Sequence, residues 1–245
     1  MKIVLFSDIH ANLPAFEKAL ELIDGETPDM VFCLGDLVGY HIWPNEIISH
    51  IRRRGIATIG GNHDAKVKGL TGAQLAEPGK NYAYKIVTDE NKEYLATLPA
   101  HIHLEFQING SPLQMLLVHG SPKSNDEYLL QDKSEADFLA VFENGNADIL
   151  CFGHSHKPYY RVLDTGKEPR RFKHAINTGS IGKPKDGNPQ GGFVVLTINH
   201  NDSKDTKEFI NVNFVRFNYD IEKAAVAIEN SPLPNDLADM LRKAY

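Results

Sequence analysis

Metal-binding side chains close five apolar runs of this chain. Asp8-Ile9-His10 follows residues 3–6, Gly35-Asp36-Leu37-Val38-Gly39 follows 30–34, and Gly61-Asn62-His63-Asp64 follows 56–59. His119-Gly120 follows 115–118, and Gly153-His154-Ser155-His156 follows 149–152. Carboxylate, neutral imidazole and amide oxygen together suit a divalent transition ion better than a structural zinc, which prefers Cys and His. An aspartate can bridge two cations through its two oxygens, and two metals about 3.5–4 Å apart form a recurrent clamp on phosphoryl groups. Each motif alone has a plainer reading. Asp8 can cap a helix, His119 can be a polar strand end, and Gly61-Asn62-His63-Asp64 has the composition of a turn. Gly153-His154-Ser155-His156 is more specific, because two histidines at i and i+2 can face one ion across a tight turn. All five in this order, each after an apolar run, are improbable by chance.

The runs themselves say how such residues would be brought together. Short apolar runs bounded by Gly and Asp read as fully buried strands, and ligands in open α/β sheets gather at the carboxyl ends of such strands. Between the first runs, residues 14–24 carry Phe16, Leu20, Leu22 and Ile23 at helical spacing behind Pro14, and 44–54 carry Ile47, Ile48 and Ile51 with Gly55 placed as a C-terminal cap. That is a βαβαβ start, with parallel strands and right-handed crossovers. Residues 65–88, with Gly69, Gly72, Pro78 and Gly79, read as a loop with short helical turns over the site. Helices are expected over 88–98 and 134–143, the second capped by Ser134, and a hairpin over 104–108 and 113–118 around Asn109-Gly110. From residue 158 the chain reads as β-rich (159–163, 172–176, 193–198, 209–217). It closes with two helices over 221–245, broken at Ser231-Pro232-Leu233-Pro234. With neither a repeat nor a linker, residues 1–245 read as one domain.

Composition bounds the function classes. Hydrophobic content of 42% and charged content of 24% in 245 residues are ordinary for a globular protein with a substantial core. A net charge of −6 disfavours a nonspecific nucleic-acid or anionic-membrane binder. Cys33 and Cys151 fall inside expected strands, where free cysteine acts as a small hydrophobe, so a reducing cytoplasm is the expected compartment. No apolar run approaches a membrane span, and no leader is evident.

The ordered motifs closely resemble the calcineurin-like metallophosphoesterase superfamily, whose pattern is Asp-x-His, Gly-Asp, Gly-Asn-His-Asp/Glu, His, then Gly-His-x-His. Asn177-Thr178-Gly179-Ser180-Ile181-Gly182 resembles a loop of its smaller bacterial and archaeal members. The resemblance implies an α/β fold: a four-layer α/β/β/α sandwich of two mixed sheets with flanking helices. It implies two divalent ions, drawn from Mn, Fe, Zn, Ni or Co. Asp8, His10 and His156 would hold one, and Asn62, His119 and His154 the other, with Asp36 bridging. His63 would be catalytic, facing the scissile phosphate and assisting the leaving oxygen. The implied activity is phosphoester hydrolysis by a metal-bound hydroxide on a phosphodiester or nucleotide-type substrate. The alternatives are a phosphomonoesterase or protein phosphatase, and a non-catalytic interaction scaffold.

Two departures bear on the substrate. Where protein Ser/Thr phosphatases continue with an Asp that orients the catalytic His and an Arg that grips phosphate, this chain has Gly39 and Tyr40. His63 must be oriented otherwise, by Asp64 or by substrate, and Lys183, Lys185 or Arg161 would have to supply any missing charge. Tyr40 and His41 are expected to line the pocket, and Trp43 to pack. His50, His101, His103, His174 and His200 lack a motif and are read as surface or satisfied residues.

Overall fold

The computed structural model describes residues 1–76, 79–108, 110–166, 172–199 and 205–245. The expected βαβαβ start is present: β1 (Lys2–Phe6), α1 (Leu13–Gly25), β2 (Met30–Cys33), α2 (Pro44–Arg54) and β3 (Ala57–Thr58), with β1–β2 and β2–β3 parallel. The punctuation is the one the residues dictate. The Asn12 side chain accepts the Ala15 N–H at the start of α1, and Pro14 fills its first turn. Gly55 ends α2 at φ +62. β3 is shorter than expected: Ile59 N–H still reaches the Cys33 carbonyl at 3.1 Å, but Gly60 N–H turns away to Pro99 at 2.8 Å.

Residues after β3 are more helical than expected. α3 (Asn62–Gly69) starts within the third motif, followed by α4 (Gly72–Ala76), α5 (Tyr82–Lys85) and α6 (Asp89–Thr97). Pro78 and Asn109 lie outside the described residues, as does His200. The hairpin pairs β4 (His101–Ile108) with β5 (Ser111–Val118), from His101↔Val118 to Ile108↔Ser111. β4 begins three residues earlier than expected because polar His101 and His103 alternate with inward Ile102 and Leu104 on an edge strand. Next come α7 (Glu135–Gly145), whose Ser134 cap is as expected, β6 (Ile149–Phe152), β7 (Tyr159–Asp164), β8 (Phe172–Asn177) and β9 (Gly191–Ile198). One helical turn, α8 (Thr206–Phe209), takes the first residue of the expected last strand, leaving β10 (Ile210–Phe217). The pair α9 (Ile221–Glu229) and α10 (Asp236–Lys243) ends the chain.

The strands form two five-stranded mixed sheets, ordered β10-β9-β1-β2-β3 and β4-β5-β6-β8-β7. Period-2 alternation assigns each strand residue to a layer. Ile3 and Leu5 of β1 meet Met115, Leu117, Ile149 and Cys151 in a core between the sheets. Val4 and Phe6 face Phe16, Leu20, Ile47 and Ile51 of α1 and α2. Leu150 and Phe152 of β6 face Phe138 and Phe142 of α7. The result is helix, sheet, sheet, helix. Each fully buried Leu, Ile or Phe contributes about 1.5–3 kcal/mol, so both faces of each sheet hold its register. Cys33 and Cys151 are free and buried in these cores.

Candidate active site

The five motifs leave the carboxyl ends of β1, β2 and β3 in one sheet and of β5 and β6 in the other, and the backbone ties those ends together. Asp8 N–H bonds the Gly35 carbonyl (3.0 Å), and Gly153 N–H bonds that of His119 (2.9 Å). The segment Asn177-Thr178-Gly179-Ser180-Ile181-Gly182 stitches one sheet to the other. Thr178 N–H reaches Phe152 in the second sheet, while Ile181 N–H and Gly182 N–H reach Ser7 and Asp8 after β1. Ser180 Oγ donates to the Asp8 carbonyl at 2.7 Å.

Each carboxylate commits one oxygen to the protein and presents the other. Asp8 Oδ2 accepts the Ser7 hydroxyl and the His154 N–H, and Asp36 Oδ1 accepts the His63 N–H at 2.8 Å from the first turn of α3. Asp8 Oδ1 and Asp36 Oδ2 are buried with no hydrogen-bond partner among the described residues. Asp8 Oδ1 lies 3.2 Å from His156 Nε2 and 3.6 Å from His10 Nε2. Asp36 Oδ2 lies 3.6 Å from His10 Nε2 and 3.3 Å from His119 Nε2. Asp36 thus turns one bare oxygen toward His10 on one side and His119 on the other. The arrangement depends on Gly61, where a Cβ would stand 2.1 Å from Asp36 Oδ1.

The imidazoles are held from behind. Nδ1 of His10 meets the Val38 carbonyl at 2.9 Å, that of His119 the Leu34 carbonyl at 2.8 Å, and that of His156 the Lys183 carbonyl. His154 bonds the Asp126 backbone. Such carbonyl partners put a proton on Nδ1 and aim Nε2 inward, the usual support of a metal ligand. Nε2 of His10 and Nε2 of His156 are 3.2 Å apart, and Nε2 of His154 is buried without a hydrogen-bond partner among the described residues. Facing lone pairs and bare carboxylate oxygens repel unless a cation lies among them, so these residues fit divalent ions. The histidines at 154 and 156 do not share one group. His156 joins Asp8 and His10, whereas His154 joins Asp36 and His119, with Asn62 Oδ1 3.2 Å from His119 Nε2. Asp8, His10, Asp36, His154 and His156 all adopt positive φ, between 51° and 65°, which non-glycine residues rarely do. Strain of this kind clusters at functional sites.

Electrostatics follow from the same packing. Burial alone would raise both carboxyls, but the imidazoles, His156 foremost at Asp8 and His119 at Asp36, hold them well below the carboxylate range. Burial would lower His119, yet Asp36 raises it to about 10. Burial dominates at His156, lowered to about 4, and at His63, lowered to about 2.

His63 is 9% exposed and packs against the rings of His10 and Tyr40, both at 4.8 Å between centroids. One of its ring nitrogens lies within 4.8 Å of ligand atoms of His10 and Asp36. Asp64 does not orient it: Asp64 Oδ2 accepts the N–H of Gly61 and Asp36, and Oδ1 that of Leu37. Nδ1 instead meets the Tyr84 hydroxyl at 2.5 Å. The sequence reading missed Tyr84 because no spacing links it to the motifs; its only trace was an aromatic at the edge of an otherwise polar segment. Tyr40 is half-buried at the site. His41 is 1% exposed, and its Nδ1 meets the His10 carbonyl at 2.8 Å, so it braces the ligand loop from behind instead of lining the pocket. Arg161 donates to the carbonyls of Gln131 and Lys133. Lys183 and Lys185 lie over the Tyr40 ring, at 4.9 and 6.0 Å, and Lys185 feels Asp8 and Asp36. Tyr128, also unforeseen, stacks on His154 at 4.1 Å and is 52% exposed. Trp43 packs beside the α9–α10 cluster, and His174 is buried and bonded to Tyr160 and Thr206.

Residues 1–201 match the calcineurin-like phosphoesterase superfamily domain. An uncharacterized protein of Methanocaldococcus jannaschii is 33% identical over 98% of this chain and 96% of its own length. The phosphodiesterase YfcE of Escherichia coli is 26% identical over 77% of this chain and 84% of its own. A metallophosphoesterase from Sphaerobacter thermophilus superposes with a TM-score of 0.77 at 25% identity, covering 100% of this chain and 99% of that one. A hypothetical protein of Pyrococcus horikoshii shares the fold, with a TM-score of 0.76 at 22% identity and 98% and 97% coverage. Family match and carboxylate–imidazole constellation agree: this chain belongs to the calcineurin-like phosphoesterase superfamily and is a metal-dependent phosphoester hydrolase.

Proposed function

We propose that the chain is a two-metal phosphodiesterase acting on small phosphodiester or nucleotide-type substrates, and that residues 1–245 work as one catalytic unit. The observation that carries the reading is Asp36 Oδ2, bare, buried and facing His10 on one side and His119 on the other. Asp8, His10 and His156 would hold one ion, Asn62, His119 and His154 the other, and Asp36 would face both. When bound, the pair supplies Lewis acidity toward the phosphoryl oxygens and a nucleophilic hydroxide near neutral pH. His63 hydrogen-bonds the leaving oxygen as charge develops there. Tyr40 walls the substrate side. Lys185, 6.0 Å from the Tyr40 ring and within reach of the field of Asp8 and Asp36, adds a cation beside the site, but a single lysine is a point charge and does not reproduce a bidentate guanidinium grip. A diester, with one charge fewer than a monoester, needs that grip less. The phosphodiesterase named among the relatives supports the same choice.

The test is kcat/KM on bis-nitrophenyl phosphate, nitrophenyl phosphate, a dinucleoside tetraphosphate and a phosphopeptide, each after loading with Mn, Fe, Zn, Ni or Co. The diester and the nucleotide are expected to lead. Preference for the phosphopeptide, or fewer than two ions per chain in the active form, overturns the reading.

A further inference from the structure

We propose that Tyr84 is the positioning residue of His63, set from a separate helix in place of an acidic partner from the second motif; this rests on the phosphoesterase reading with His63 at the leaving group. Tyr84 Oη lies 2.5 Å from His63 Nδ1, and the two rings stack at 5.9 Å and 28°. Both residues are buried. Among the described residues Nδ1 is the one hydrogen-bond partner of that hydroxyl. A buried hydroxyl proton without a second acceptor goes to the one within reach. The phenol therefore donates to Nδ1, and neutral His63 carries its own proton on Nε2. That tautomer offers an N–H to a leaving oxygen, while the other offers a lone pair.

Among the described residues no other group competes for the task. The carboxylate of Asp64 is filled by backbone N–H groups, and Tyr40 and His10 touch His63 ring to ring. Gly39 explains why a phenol can reach the imidazole. A Cβ at position 39 would stand 2.6 Å from His63 Nδ1 and 3.3 Å from Tyr84 Oη, so any side chain there would occupy the space of this hydrogen bond. A side chain at 39 and the Tyr84 hydroxyl therefore compete for one space beside the imidazole, and Gly39 leaves it to the phenol.

The phenol is held on a fixed mount. α5 is wedged between two apolar clusters, with Ala83 facing the α9–α10 pair and Tyr84 facing the α1–α2 layer. Asn45 at the start of α2 pins the next turn, donating to the Ile86 carbonyl at 2.8 Å and accepting from Thr88 N–H at 3.0 Å. A hydroxyl so placed orients its partner at little entropic cost.

The test is Tyr84→Phe, which keeps the packed ring and removes the hydroxyl. Metal content and Tm are expected to stay at wild-type values. Nitrogen NMR of the metal-free and zinc-loaded proteins should show His63 as a single Nε2–H tautomer in wild type and as a mixture in the variant. Turnover of diesters with an alkyl alcohol leaving group should fall about tenfold or more, part of the roughly 10²–10³ that losing one oriented hydrogen-bond donor costs. Nitrophenolate release should fall much less, with KM nearly unchanged. In a His63→Ala background, Tyr84→Phe should cost nothing further. Equal losses for both leaving groups, an undiminished cost in that background, or loss of metal would make Tyr84 a packing residue and overturn the proposal. If wild type hydrolyses no phosphoester, the functional reading fails, and the NMR result still decides Tyr84: an unchanged Nε2–H tautomer in Tyr84→Phe overturns it.

Discussion

Asp36 divides its two oxygens, one to the His63 backbone N–H and one bare toward His10 and His119. Asp36→Asn keeps the shape and removes the charge. Metal affinity should drop by more than the roughly 10–100-fold typical of losing an outer partner. Equilibrium dialysis with elemental analysis checks this, and unchanged stoichiometry at micromolar metal would refute it. His63→Ala should do the opposite, keeping metal while losing about 10²–10⁴ in turnover of poor leaving groups. At His119 the sign of a pH effect can be worked out. Burial pushes the imidazole down, but Asp36 raises it to about 10, so the metal-free ring stays protonated through neutral pH. A metal must displace that proton, so affinity should rise with pH, by up to about tenfold per unit for one proton displaced. Calorimetric titrations in buffers of different ionisation enthalpy should detect the released proton. An affinity flat between about pH 6.5 and 8 would contradict it.

The site is assembled from the ends of elements, and its tolerances are set there. α3 begins at Gly61, and the same first turn supplies Asn62, His63 and the Asp64 carboxylate that collects four backbone N–H groups. Gly61→Ala would drive a methyl to 2.1 Å from Asp36 Oδ1 and 2.5 Å from Asp36 N. Backbone on both sides must move, so we expect a loss of about 1–3 kcal/mol in urea unfolding together with impaired metal uptake. Unaltered metal binding in a folded Gly61→Ala would show the crowding to be harmless. Strand existence was legible because buried strands are unbroken apolar runs, and Pro44 and Gly55 bounded α2 without help from packing. Boundaries that depend on partners were not: β4 runs longer than its apolar part because β5 supplies hydrogen bonds to His101 and His103. α3 was hidden for a related reason. Gly, Asn and Asp favour turns in isolation, and the helix forms around contacts to Asp36 that local sequence does not contain.

At the scale of the molecule, the two sheets share one core, and each sheet supplies part of the site. Ile3, Leu5 and Phe32 from the first sheet pack with Met115, Leu117 and Ile149 from the second. Neither half keeps its inner face dry alone, so unfolding should be a single cooperative transition, with fluorescence and circular dichroism coincident. Ions binding the candidate site would stabilise the folded state by mass action, about 2.7 kcal/mol at a hundredfold excess over Kd. For a chain of this length that is roughly 5–10 °C in Tm. Adding a chelator should reverse the shift. Two separate transitions, or a Tm indifferent to metal, would contradict a site shared by both sheets. No helix among the described residues is long and apolar enough to cross a membrane.

The sequence by itself carried the family, the strands and the candidate metal-binding side chains, because each is written locally: an apolar run that must be buried, then a donor of the right chemistry. Tertiary structure decided how those donors are shared out. Positive φ at His154 and His156 sends two residues of one tight turn to different groups, and a hydrogen bond from α3 engages one Asp36 oxygen and leaves the other bare. It also turned His41 inward and brought Tyr84, 21 residues from His63, to its ring. Neither outcome has a local signal, since each depends on which backbone from elsewhere in the chain fills the space behind the site.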